Sequence, residues 1–155
     1  MEKEINIKSF KILKGRSELV YEEAGNARVY TIEDTEEPHP DLRNALLKLK
    51  PFLAETHHLD QDKYEYVAPT GFKLSMGENM TCIITGTLLT PSDKFVAINS
   101  ESIDLGGEGY YSFVDKLTKV IDLLTIEAKA FFFDGKVAQQ KLPFEGEAKD
   151  KEAII

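Results

Sequence analysis

The chain of 155 residues has the length of one domain, long enough to bury a core without disulfides or a structural metal. Its 19 basic and 27 acidic residues leave a net charge of −8, which disfavours a general nucleic-acid coat protein while leaving room for a local basic face. Cys82 is the one cysteine, which excludes a disulfide framework and a cysteine zinc site and fits a reducing, cytoplasmic setting.

The charged start Met1-Glu2-Lys3-Glu4 predicts no secretory leader, and no stretch approaches the length of a membrane span. From Ile5 to Ile12 apolar and polar residues alternate, with a change of phase at Lys8-Ser9 that predicts a bulged strand. Lys14-Gly15-Arg16 reads as a turn. Strands follow at Glu18 to Glu22 and Arg28 to Glu33, joined through Ala24-Gly25-Asn26, whose glycine and asparagine tolerate positive φ.

Beyond the loop Glu36-Glu37-Pro38-His39-Pro40, the residues Leu42, Ala45, Leu46, Leu49 and Leu53 recur at helical spacing. Pro51 falls inside this period and predicts a kink or a restart near Lys50, with the helix ending around His57-His58. Strands are predicted at Tyr64 to Val67, Phe72 to Met76, Thr81 to Leu88 and Phe95 to Asn99, with a turn at Thr90-Pro91-Ser92-Asp93. Tyr110, Phe113, Val114, Leu117, Val120, Ile121, Leu124 and Ala128 form the stripe of a second amphipathic helix. At its end Phe131-Phe132-Phe133-Asp134-Gly135 fits either a helix capped by Gly135 or a strand entering a hairpin, and the first reading is preferred.

The expected fold is α+β: an antiparallel sheet with two amphipathic helices packed on one face, in a single domain spanning 1–141. Residues 142–155, largely charged, are expected to form a mobile acidic tail. Phe10-Lys11-Ile12 and Phe72-Lys73-Leu74 each open a run of three strands and a helix, so a duplicated βββα unit is one reading of the order. Any meander followed by a helix is the other. The order also resembles that of a processivity-clamp domain, whose helices are separated by four strands.

No catalytic motif, metal site or cofactor site is predicted. His57-His58-Leu59-Asp60-Gln61-Asp62 combines imidazoles and carboxylates, but neighbouring side chains on a helix diverge by about 100°, so a solvated helix end is the better reading. Cys82 lies among apolar neighbours and reads as a buried thiol. Gly106-Gly107-Glu108-Gly109 lacks the lysine and hydroxyl of a nucleotide loop. Acid runs such as Glu33-Asp34-Thr35-Glu36-Glu37 read as solvated surface. Arg43, Lys48 and Lys50 on the first helix are the candidate nucleic-acid contacts, with Tyr110 and Tyr111 as candidate base-stacking residues; helix solubility and core packing are the ordinary explanations of the same residues.

Two resemblances bear on partners. The acidic C-terminus ending in Ile154-Ile155 is similar to the partner-recruiting tail of bacterial single-stranded-DNA-binding proteins, which implies Glu152, Ile154 and Ile155 as tail contacts, although it lacks the denser acidic run and aromatic ending of that family. Pro38-His39-Pro40-Asp41-Leu42-Arg43-Asn44-Ala45-Leu46, with Ile83 to Leu88 and Phe95 to Asn99, resembles small phage and prophage early-region proteins. That resemblance implies a bacterial cytoplasm and a role in replication, recombination or counter-defence, and assigns no functional residue. The leading expectation is a non-catalytic, homo-oligomeric binding protein in phage DNA metabolism, contacting single-stranded DNA or a host or phage protein. A counter-defence protein that sequesters a nucleotide or blocks a host complex is the alternative, followed by a metal-dependent hydrolase at His57, His58, Asp60 and Asp62.

Overall fold

The computed structural model describes residues 4–25, 28–106 and 111–138. The tail expected at 142–155, with Glu152, Ile154 and Ile155, lies outside them, as does Tyr110. The first hairpin pairs β1 (Ile5–Leu13) with β2 (Arg16–Glu23), and Gly15 at φ 80° supplies the left-handed residue of its turn. The register of β1 shifts between Ile7 and Ser9, the bulge that the change of phase predicts. β3 (Val29–Asp34) then pairs with β2 and forms one margin of the sheet.

The expected first helix is two. α1 (Pro40–Leu47) begins at His39, whose Nδ1 accepts the Asp41 N–H at 3.0 Å, and α2 (Lys50–Thr56) restarts with Pro51 in its first turn. Proline has no N–H to continue a helix but fits a first turn, so the break falls at Lys48-Leu49. Leu49 stays buried across the joint, and the apolar period from Leu42 to Leu53 faces the core throughout.

The strand expected at Tyr64 to Val67 is corrected. Gln61–Tyr66 form a 3-10 turn, anchored by the Lys63 N–H on the Asp60 carbonyl at 2.9 Å. The strand begins at Val67 and runs unbroken as β4 (Val67–Met76), because Pro69-Thr70-Gly71 makes a bulge in place of a turn. β5 (Met80–Leu89) and β6 (Phe95–Asn99) follow, the Thr90 N–H donating to the Lys94 carbonyl at 2.8 Å across their turn. A two-residue β7 (Ile103–Asp104), too short to read from sequence, also pairs with β5. α3 (Val114–Asp134) closes the fold and ends at Gly135, φ 73°, the C-cap reading preferred above.

The sheet order is β3-β2-β1-β4-β5-β6, with every pairing antiparallel. The helices cover one face. Phe10, Leu19, Phe72 and Ile84 from the sheet meet Leu42, Leu46, Leu49 and Leu53 from α1, α2 and their joint, and Leu117, Leu124 and Phe131 from α3. This is the α+β fold that the periodicities predict.

The repetition of βββα has a structural counterpart at the centre of the sheet. β1 and β4 pair as Ser9 with Lys73, Phe10 with Phe72 and Lys11 with Gly71, a ladder symmetric about the two phenylalanines. Their rings lie 6.3 Å apart. The bulges of β1 and β4, at Lys8 and Thr70, each come two residues before those phenylalanines. The short echo Phe-Lys-apolar therefore sits at the pseudo-twofold axis of the strand order, in which β7 has no counterpart.

Candidate functional site

The residues considered for chemistry do not converge. His57 ends α2 and donates from Nε2 to the Asn99 carbonyl at 2.9 Å, while His58 takes a left-handed φ of 55° and turns the chain away. Among the described residues no three His, Cys, Asp or Glu side chains are grouped to hold a metal ion. Cys82 is buried against the core, and burial pushes its thiol up to about 12, so it is a packing residue at neutral pH.

The candidate nucleic-acid residues are spread across the helix layer. Arg43 lies 3.8 Å from Glu37, Lys48 caps the end of α1 and Lys50 opens α2. Across this layer Arg43, Lys48, Lys50, Lys116, Lys119 and Lys129 balance Asp41, Glu55, Asp115, Asp122, Glu127 and Asp134, so it is neutral on a chain of net charge −8. Tyr111 stacks on Phe113 at 4.9 Å and 15°, and its hydroxyl donates to Glu101 at 2.6 Å. Phe113 packs in turn on Phe52 of α2 at 5.0 Å. The structure thus places Tyr111 in an aromatic stack leading to the core.

The unpaired main-chain groups of the sheet are concentrated at its margins. The Ser100 N–H donates to the Ile84 carbonyl at 2.8 Å, which fixes the alternation along β6: Val96 and Ile98 face β5, and the main chain of Phe95, Ala97 and Asn99 faces outward. His57 occupies the Asn99 carbonyl, leaving the outward groups of Phe95 and Ala97 as the open part of this edge among the described residues. On β3 the same alternation, phased by the Ala24 N–H on the Glu4 carbonyl at 2.9 Å, turns Val29, Thr31 and Glu33 outward.

The two margins differ in side chains. β6 reads Phe-Val-Ala-Ile-Asn, without a charge, and Phe95 is 72% and Val96 47% exposed. β3 ends in Glu33 and Asp34. An uncharged apolar strand at a free edge is a template for another strand, and charge on an edge is the usual guard against that pairing. Sequence reasoning found β6 but missed its place: the missing charge between Lys94 and Glu101 is visible, whereas its position at a margin depends on long-range pairing. Comparison with protein-family models, curated proteins and solved structures finds no match to this chain. Among the described residues no helix is long and apolar enough to cross a membrane.

Proposed function

We propose that this chain is a non-catalytic binding protein that acts as a homo-oligomer assembled through its sheet edges, and that the assembly serves phage DNA replication or recombination in the bacterial cytoplasm. The observation that carries the reading is the uncharged β6 edge with Phe95 turned to solvent. Leaving so large an apolar side chain beside unpaired main chain invites aggregation unless a partner covers it. The tie to DNA rests on the resemblance to phage early-region proteins and on the neutral helix layer, where the chain's overall negative charge is locally offset.

Native mass measurement of the wild type and of Phe95→Glu tests the assembly. The wild type is expected as a multimer and the variant as a monomer with an unchanged fold; a wild-type monomer at micromolar concentration would sink the proposal. For the DNA step, binding to single-stranded oligonucleotides is measured across a salt series. The logarithm of affinity is expected to fall with the logarithm of salt by about 0.7 per phosphate contacted. Absence of binding at low salt removes DNA as the partner while leaving the oligomer standing.

A further inference from the structure

We infer that the oligomer, taking the edge-assembly reading above as its basis, is built head to tail: β6 of one copy pairs antiparallel with β3 of the next, Val96 opposite Ile32 and Lys94 opposite Asp34. The direction follows from strand number. Six antiparallel strands lie on the path from β3 to β6, so the two margins run in opposite directions. A second copy set beside the first in the same orientation therefore continues the antiparallel alternation with its helices on the same face.

The register follows from the phase of the outward groups and from charge, and the faces agree with it. Outward main-chain groups must meet outward groups, and these belong to Phe95 and Ala97 on β6, where His57 holds the Asn99 carbonyl, and to Val29, Thr31 and Glu33 on β3. Faces must also match. Gly86 faces Leu53 of α2, so its partner Ile98, and with it Val96, lies on the helix side, while Phe95 and Ala97 lie on the open side. On β3, Ile32 pairs with buried Leu19, which puts Tyr30, Ile32 and Asp34 on the helix side and Val29, Thr31 and Glu33 on the open side.

Charge then selects among the registers that satisfy both. With Phe95 opposite Glu33, the helix-side pairs are Lys94 with Asp34, Val96 with Ile32 and Ile98 with Tyr30: one opposite-charge pair beside two apolar ones. Sliding by two residues one way sets Val96 against Asp34, and sliding the other way sets Lys94 against Ile32. A β6 edge paired with a second β6 about a twofold axis supplies no acid for Lys94. The margins complement one another better than either complements itself, which is the pattern of a heterologous interface that closes as a ring or extends as a filament.

Val96 and Ile32 would form a non-hydrogen-bonded pair, with Cα atoms about 4.5 Å apart, within the span of a disulfide. Two single-cysteine-substituted chains of different mass, Val96→Cys and Ile32→Cys, are mixed under mild oxidation. Cys82 is buried and contributes no background in the folded protein. Disulfide-linked dimers of mixed composition are expected, with homodimers of neither variant. Homodimers of Val96→Cys would overturn the head-to-tail arrangement in favour of self-paired β6 edges. A multimer by native mass that yields no disulfide overturns the register and leaves edge assembly standing, whereas a monomer overturns both. Charge provides a second readout without cysteine. Lys94→Asp and Asp34→Lys are each expected to weaken association about fivefold or more, and the double variant to restore it; failure of the double variant to recover rejects the Lys94–Asp34 contact.

Discussion

β3 and β6 occupy equivalent places at the two margins of a sheet whose order repeats about the Phe10–Phe72 pair, yet β3 ends in Glu33 and Asp34 while β6 carries no charge. The helices above them differ in the same sense. The first half has α1 and α2 broken at Lys48-Leu49, and the second has the unbroken α3. Symmetry is kept where the halves bury each other and relaxed where they meet solvent. Core packing constrains both copies alike, whereas a margin is free to specialise, and two unlike margins suit a head-to-tail assembly better than a self-complementary one.

The largest effects are expected where the halves are most alike. Phe10 and Phe72 are fully buried and adjoin at the axis. Phe10→Ala and Phe72→Ala should each cost about 3–5 kcal/mol in chemical denaturation, and similar losses would show that the halves share one anchor. If one variant lost less than about 1 kcal/mol, the equivalence of the two positions would be structural coincidence.

Glycine positions sharpen the contrast at intermediate size. A Cβ at Gly86 would lie 2.5 Å from Leu53 Cδ2 and 2.7 Å from the Ala68 carbonyl oxygen, so Gly86→Ala must push β5 from α2 or from β4. A loss of about 1–3 kcal/mol is expected from such overpacking. Gly77, at the tip of the β4–β5 hairpin, has its nearest neighbour at 4.0 Å, and Gly77→Ala should be close to neutral. Equal losses at the two sites would mean that α2 yields easily, contrary to the close packing of Leu53.

The legibility of this fold from sequence followed the range of the interaction involved. The bulge at Lys8, the restart at Pro51 and the Gly135 cap are local, set by alternation, a missing N–H and a left-handed φ, and each could be read from a few residues. The 3-10 turn at Gln61–Tyr66 was missed because its apolar residues mimic a short strand, and the unity of β4 because a proline and a glycine in sequence signal a turn as readily as a bulge. The candidate site was legible only in its composition. Nothing near Phe95 announces that its strand is a margin; that depends on β5 having β4 on its other side, a pairing of residues far apart in the chain. Tyr111 illustrates the converse, since its ring and hydroxyl are engaged by Phe113 and Glu101 in a way that spacing alone does not specify.

The smallest expected effect concerns the contact that ties the two unequal helix sets together. Lys136, just past the end of α3, donates from Nζ to Asp41 of α1 at 2.9 Å and to Glu127 of α3 at 3.0 Å. The hydrogen bond from Lys136 holds the Asp41 carboxyl below its ordinary 3.8, aided by the charge of Lys136 against the opposing effect of burial. The hydrogen bonds to Asp41 and Glu127 hold the Lys136 ammonium above its ordinary 10.5. A depressed carboxyl stabilises the fold above its unfolded value and loses that contribution as pH falls through the folded one. A raised ammonium stabilises below its unfolded value and loses its contribution as pH rises through the folded one. Lys136→Met removes both contributions. The gap in urea midpoint between wild type and variant should therefore be widest between 3.8 and 10.5 and close on either side. Because the groups are solvent-accessible, about 1 M salt should narrow the gap further. A gap constant from acid to alkali would instead assign Lys136 a packing role through its methylene stem, and the link between the helix sets would then be apolar, like the seam beneath it.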